Sequence, residues 1–476
     1  MSKLVKNTFI YTLGNALVPS MGFILLPLYA KYLTPADYGI VAAMATLSGV
    51  LAILYTLCAE RAVYRLYYDY KSEADKKIFL GSVATFTIIL SVAAAALLFI
   101  FSNAAGSLYK SIPFHPYYAY TIMTCLFLTF SYIPLINLRV TERAGEFVIL
   151  SSGQFLLTTA LIVFFVCVKR EGAAGQLKAT FLSALIAAPV YLYILGKIAT
   201  PGINKRIIGE TLRYSMPMVP SLLTAWVLNL SSRIFLERYF TLADVGVFSL
   251  AHKIGTLGLV IFGGFNAAYA PYFYKMANDA TDILQSKNKL SRINDVYTVL
   301  ALASIFFVAL FTKEVMETFI DSRYSYAYGI ARVVLYAYYF SALMSLAGLS
   351  ITQSKKTKQD MYISLIVAVL NVMLNLALIP RFGINGAAAA TILTFVCGYA
   401  IEYEYSKRCF FVQTGRFRLM TYIACSGAIL TGYHFYLERW PLFAFISKLV
   451  LAAATAYGLL RMDEIRNILK LKKISA

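Results

Sequence analysis

Apolar runs of about 20 residues follow one another along this chain, separated by short polar segments that carry most of the charge. A run of that length, wound as a helix at about 1.5 Å per residue, spans the ~30 Å hydrocarbon core of a bilayer. The pattern predicts six spans near 9–30, 39–59, 78–101, 118–138, 147–168 and 176–196. Six more follow near 214–236, 244–265, 296–312, 329–350, 361–380 and 386–405, and a last pair near 419–437 and 442–460. The expected fold is all-α, a polytopic membrane protein of about 14 transmembrane helices.

One stretch of the pattern occurs twice. Lys31 to Ile40 reads KYLTPADYGI and Arg238 to Val247 reads RYFTLADVGV, at an offset of 207 residues. Each copy lies between two apolar runs, so each reads as a tight outer turn and the start of a span. Thr34 is then the N-cap, Pro35 the first helical residue, and Asp37 the acidic member of a capping box, with Thr241 and Asp244 repeating the device. A second match, Gly172 to Thr180 against Gly383 to Thr391, lies at an offset of 211. Six is an even number of spans, so two such halves share one orientation and form parallel repeats, with a cavity expected between them. The halves are placed at 1–200 and 214–405. An amphipathic cytoplasmic linker at 201–213 joins them, and 406–476 adds a helix pair and a basic cytoplasmic tail. In the linker, Ile203, Ile207, Ile208 and Leu212 fall at helical spacing opposite Lys205, Arg206 and Glu210.

Composition agrees with the pattern. Of 476 residues 60% are apolar and only 14% charged, far more apolar material than one soluble core uses. The formal charge of +20 does not point to nucleic acid, because the basic residues sit in short clusters between spans. With the N-terminus inside, inner segments hold 29 of the 43 Lys and Arg and outer segments 10. By the positive-inside rule both termini are cytoplasmic. The first apolar run lacks a small-residue cleavage site and reads as a span kept in the mature protein.

No signature of catalysis stands out. There is no P-loop, the histidines His115, His252 and His434 lie in no metal-ligand spacing, and the six cysteines have no redox spacing. No connection is long enough for a sizeable extramembrane domain. An enzyme is therefore not expected, nor a cofactor or metal.

Polar groups at membrane depth carry the remaining signal, since an ionisable side chain there costs roughly 2.5–3.5 kcal/mol on insertion scales. Arg233 lies in the seventh span with Asn229 four residues before it, on one helix face. His252 and Lys253 lie in the eighth, Lys253 roughly 13 Å deep. Arg233 is also near enough to the outer boundary to snorkel, and Arg332 and Lys448 fit snorkelling better than a site. Glu60, Arg61 and Arg65 close the second span as a substrate-entry cluster or a solvated helix end. Asn15, Asn371 and Asn375 line the cavity or bond between helices. Pro19, Pro27, Pro217, Pro220 and Pro271 are expected to kink or break spans one, seven and eight.

The first span with Asn15 and Pro27, the turn KYLTPADYGI, its echo RYFTLADVGVFSLAHKIG and the later LIPRFGINGAAAAT together resemble the bacterial polysaccharide flippases. These are the Wzx-type transporters of the multidrug/oligosaccharidyl-lipid/polysaccharide exporter superfamily. The resemblance covers essentially the whole chain. It implies a flippase in the bacterial inner membrane that moves an undecaprenyl-pyrophosphate-linked oligosaccharide to the outer leaflet by alternating access, for surface polysaccharide such as O-antigen. Its partners would be that lipid-linked substrate, membrane lipids and a polysaccharide polymerase or other glycan-assembly protein. Carried onto this chain, the resemblance implies a cationic cavity holding Arg61, Arg233 and Lys253. Three other readings stay open. A cation-coupled multidrug exporter usually carries a carboxylate in the first span, and residues 9–30 have none. A lipid II flippase would place basic residues in spans one and two, whereas the first span is uncharged between Lys6 and Lys31. A non-transporting membrane scaffold would not need Lys253 at depth.

Overall fold

The computed structural model describes residues 23–278, 283–413, 426, 427, 429, 445–452 and 455, and among these the chain is helical with no strand. The helices begin with α1 (Leu26–Tyr32), α2 (Pro35–Thr56), α3 (Ala59–Leu66), α4 (Glu73–Ile100) and the short α5 (Ser102–Gly106). Next come α6 (Ala119–Val140), α7 (Ala144–Ile162), α8 (Gly172–Ile198), α9 (Lys205–Ser215), α10 (Met218–Leu230) and α11 (Ser232–Tyr239). The series closes with α12 (Leu242–Gly255), α13 (Leu257–Asn278), α14 (Ile283–Phe319), α15 (Ala327–Gln353) and α16 (Thr357–Ser406). Eight helices among the described residues are long and apolar enough to cross a membrane, and nine when α10 and α11 count as one bent span. The first expected span up to residue 22, with Asn15 and Pro19, and most of the last pair and tail, lie outside the described residues.

Several span boundaries differ from the sequence pattern for local reasons. The second span stops at Leu57 and Cys58, both in the left-handed region, and Arg61 and Arg65 follow on the separate helix α3. The seventh bends by 46° at Ser231, not at its prolines. Pro217 precedes α10 and Pro220 sits in its first turn, where a missing N–H costs nothing. The eighth ends at Gly255, and Pro271 lies inside the following helix, α13. The eleventh and twelfth spans form one 50-residue run reversed at Gly383, whose φ of 56° suits glycine.

The linker helix α9 is capped by Asn204, whose Oδ1 accepts from the amides of Arg206 and Ile207. Its buried stripe is Ile207, Thr211 and Ser215, while Ile203 precedes the helix and is exposed. The stripe is thus more polar than the isoleucine spacing suggests.

The contacts divide into two compact units. The first holds the described residues up to Ser249, with Ile320–Tyr324 and Asn375–Ala387; the second holds Leu250–Phe319, Ser325–Leu374 and the described residues from Ala388 on. In the first, Ala43, Met44, Leu47, Leu51 and Tyr55 put one face of α2 against Ala95 of α4, Ile122 and Cys125 of α6 and Leu177 of α8. Lipid tails are as apolar as leucine, so close packing and interhelical hydrogen bonds, not burial alone, hold such a bundle together. Of the membrane-length helices, α15 in the second unit is the most enclosed, with 72% of its apolar stretch buried against 17% for α7 of the first. Gly255 and Gly258 let its neighbours close on Val334 and Tyr338.

Both copies of the repeated turn form the expected capping box. Thr34 Oγ1 accepts from the Asp37 amide at 3.1 Å, and Asp37 Oδ2 accepts from the Thr34 amide at 3.2 Å. Thr241 and Asp244 repeat both bonds, at 3.2 and 3.1 Å. The second pair of matching segments also agrees in backbone: Gly172 and Gly383 both have positive φ, 59° and 56°.

The motif's glycines explain why it occurs twice. A methyl on Gly39 would overlap the carbonyl oxygen of Leu242, and one on Gly246 would overlap the carbonyl oxygen of Pro35. Leu242 stands to Pro35 as Gly246 stands to Gly39, at the same offset of 207. The starts of α2 and α12 therefore cross each other about a local pseudo-twofold axis, backbone on backbone.

Candidate functional site

The bend between α10 and α11 carries a buried polar cluster in the first unit. Ser232 Oγ donates to Asn375 Oδ1 at 3.1 Å, and Asn375 Nδ2 donates to Ser231 Oγ at 3.3 Å. The bend is thereby tied to α16, and Asn375 acts as interhelical glue, one of the two roles open to it in the sequence. Asn371 bonds Thr394 Oγ1 at 3.0 Å within the second unit, in the same role.

Arg233 opens α11 one residue past this tie and is 7% exposed. Its Nε donates to Ser249 Oγ at 3.0 Å and its Nη1 to the Asn229 carbonyl oxygen at 2.9 Å. One turn on, Glu237 is 4% exposed and its Oε1 accepts from the Ser111 amide at 2.6 Å. Tyr38 and Tyr109 lie within electrostatic reach of the Arg233 guanidinium, and Tyr109 also feels Glu237. A guanidinium does not lose its proton in a protein, so this is a permanent buried cation, with a hydroxyl and a carbonyl oxygen among its partners. Such a group is costly unless well solvated by protein, and removing its partners is costlier still.

Of the sequence-derived candidates, the structure brings Arg233 and Asn229 together, Asn229 through its backbone oxygen. The Asn229 side chain turns back to Ala225 O at 2.8 Å. Arg61 is not part of this cluster: it stands on α3 with its side chain 53% exposed, 3.9 Å from Glu60. His252 and Lys253 belong to the second unit. There His252 is buried and its Nε2 lies 3.1 Å from the Tyr338 hydroxyl, while Lys253 is half-buried. Asn15 is outside the described residues.

Two basic residues assigned to snorkelling are instead buried inside the protein. Lys448 is 0% exposed and pairs with Glu314 Oε1 at 2.6 Å. Arg332 donates from Nε to Ala309 O at 3.1 Å, its guanidinium 5.2 Å from the Tyr328 ring centroid. In each case a partner from another helix supplies what the membrane surface would otherwise have to. Sequence reasoning missed Glu237 and Ser249. The signal available for Glu237 was its i, i+4 relation to Arg233 on the short helix before the repeated turn.

This helical arrangement is shared with membrane exporters. It is similar to the lipid II flippase MurJ in its inward closed conformation, with a TM-score of 0.72, 15% identity, and coverage of 95% of this chain and 100% of that one. It is also similar to an inward-facing multidrug resistance MATE family transporter of the MOP superfamily, with a TM-score of 0.64, 16% identity, and coverage of 85% and 96%. The class is thus a multi-pass membrane protein with the exporter fold. The chain belongs to the polysaccharide biosynthesis protein family, whose model matches residues 4–277, more than half of its length. Among curated proteins it is similar to the Lsg locus putative protein 1 of Haemophilus influenzae, 22% identical over 296 residues, which are 60% of this chain and 70% of that protein.

Proposed function

We propose that this protein is a flippase that carries an undecaprenyl-pyrophosphate-linked oligosaccharide from the cytoplasmic to the outer leaflet of the bacterial inner membrane. Both termini face the cytoplasm in this reading, which rests on the basic count. The two six-helix halves move against each other as the transport element, and the product passes to a polysaccharide polymerase or another glycan-assembly protein. The observation that carries the reading is the buried Arg233 in a chain of the polysaccharide biosynthesis family.

The repeat supports a role beyond folding for that arginine. At the offset of 207, Arg233 corresponds to Leu26 and Glu237 to Ala30. Both counterparts are as buried as the charged pair, at 7% and 1% exposure. The same scaffold position accepts leucine in one half, so packing does not demand a cation in the other. A pyrophosphate head group does: one charge pair about 4 Å apart at an effective dielectric of about 20 is worth roughly 4 kcal/mol, enough for capture and weak enough for release. Arg233 is enclosed in this conformation, so contact with a head group requires a rearrangement around it. Lys253 is the second cation assigned to the head group.

The test is complementation of a flippase-null strain, with surface glycan as readout and membrane abundance as control. Arg233→Leu, which restores the residue of the first half, is expected to reach the membrane at normal level and to abolish export. Lys253→Gln is expected to do the same, with Lys253→Arg partly active. Normal surface glycan from Arg233→Leu would refute the head-group role.

A further inference from the structure

The reversal at Gly383 brings the two ends of α16 together in the second unit. There the Glu402 carboxyl lies beside the Asp360 carboxyl of the first turn. Glu402 is 4% exposed, and its Oε2 has no hydrogen-bond partner among the described residues. The facing helix, α15, presents Gly348 at this point. A methyl on Gly348 would lie 2.8 Å from Glu402 Oε1 and 3.8 Å from Asp360 Oδ1, so both carboxyls converge on one bare stretch of backbone. Of the bases at these helix ends, Lys407 pairs with Glu404 at 2.6 Å and Lys356 Nζ donates to Arg408 O at 3.1 Å, while Lys355, Lys358 and Arg408 stand beside them in the sequence.

Ionised carboxylates only accept hydrogen bonds, so two neighbouring carboxyls can bond each other only when one of them carries a proton. Two like charges sharing a buried site also resist ionising together. A hard cation such as calcium takes about six to eight oxygen ligands, more than two carboxyls beside a glycine supply.

We propose that Asp360 and Glu402 form a proton-binding site that holds one proton between the two carboxyl groups at neutral pH. The proton comes from water when the pair is reached by solvent and returns to water when both groups ionise. No bond other than O–H is made or broken. The site is independent of the transported substrate, so it stands or falls separately from the flippase reading.

The test uses the full chain in lipid vesicles and infrared difference spectroscopy against Glu402→Gln. Wild type is expected to show a protonated-carboxyl C=O stretch at neutral pH that the variant lacks. Asp360→Asn removes the like charge and is expected to lower the pH at which that band disappears. Thermal unfolding gives a second readout. The native chain then binds one proton more than the unfolded chain, whose glutamate titrates near about 4.3. Stability from this site is therefore full at low pH and falls as pH rises through the native titration. The thermal midpoint should decline in wild type as pH rises from the unfolded glutamate value of about 4.3 through the native titration, with a shallower slope in Glu402→Gln. A wild type without the band, a band removed by added sodium, an unchanged titration in Asp360→Asn, or an equal slope in Glu402→Gln would each overturn the proposal.

Discussion

Adding one methyl at Gly39 tests the crossing that the repeated motif builds. The methyl would overlap the Leu242 carbonyl oxygen and come within 3.1 Å of the Gly246 amide nitrogen. Both are backbone atoms in the first turns of α12, so no side chain can swing away, and relief requires the helices to part. Overpacking of this kind costs about 1–3 kcal/mol and occasionally more. Against it stands the gain from replacing glycine by alanine within a helix, roughly 0.5–1 kcal/mol. The expected net loss is about 1–2 kcal/mol for Gly39→Ala, and a similar loss for Gly246→Ala, which meets Pro35 O in the mirror position. The two clashes relieve each other, because helices already separated for one methyl accept the second more cheaply. The double variant should therefore lose less than the sum of the singles. Gly153, in α7 with nothing within 4 Å of an added methyl, supplies the control, and Gly153→Ala should be neutral or slightly stabilising. Thermal unfolding of the purified chain in detergent, followed by loss of the monodisperse elution peak, reads all four proteins. If Gly39→Ala and Gly246→Ala melt with Gly153→Ala, the two helix starts do not touch as described.

Two further outcomes are expected. Asp37→Asn should lower protein level more than Asp244→Asn, because Asp37 Oδ1 also accepts the Ala173 amide at 3.1 Å while its Oδ2 serves the cap, itself worth about 0.5–2 kcal/mol. Equal membrane abundance of the two variants would show that the bond to α8 contributes nothing. Reporter fusions after Lys77, Arg213 and Lys356 should read cytoplasmic and those after Asn103 and Arg381 outside. An outside signal at Lys356 would break the parallel-repeat argument.

Periodicity and capping chemistry made much of the helical frame readable before any coordinates. Thr34-Pro35-x-Asp37 encodes a helix start in four residues, and apolar length encodes the spans. Breaks within spans were less readable, because the sequence cue used was proline, and proline in a first turn starts a helix as well as stopping one. Pro217 and Pro220 did the former, while the 46° bend came at Ser231, where side-chain bonds to a residue 144 positions away hold it. The partner of the buried Lys448 escaped for a related reason. Lys448 and Glu314 are 134 residues apart, and nothing local to either shows that the other meets it. Depth along a helix can be counted from sequence, but the neighbour that makes depth tolerable cannot.

The two copies agree where they carry geometry and part where they carry charge. Thr, Asp and Gly of the turn recur because a cap, an acidic reach-back and a backbone-close crossing each need that residue type at that place. The positive φ of Gly172 and Gly383 recurs for the same reason. One turn before the motif that constraint ends: Leu26 and Ala30 fill in one copy the positions that Arg233 and Glu237 fill in the other. Ser249, which receives the Arg233 Nε–H, stands where the first copy has Ala42. Three polar residues thus replace three apolar ones at corresponding places, two of them bonded to each other, on a frame whose apolar version is built in the same unit. Replacing a buried charge by a well-packed apolar side chain is often neutral or stabilising by about 1–4 kcal/mol. On that physical ground Arg233→Leu, which installs the residue of the first copy, is expected to reach the membrane at normal level, and reduced abundance of that variant would show that the fold depends on the charge.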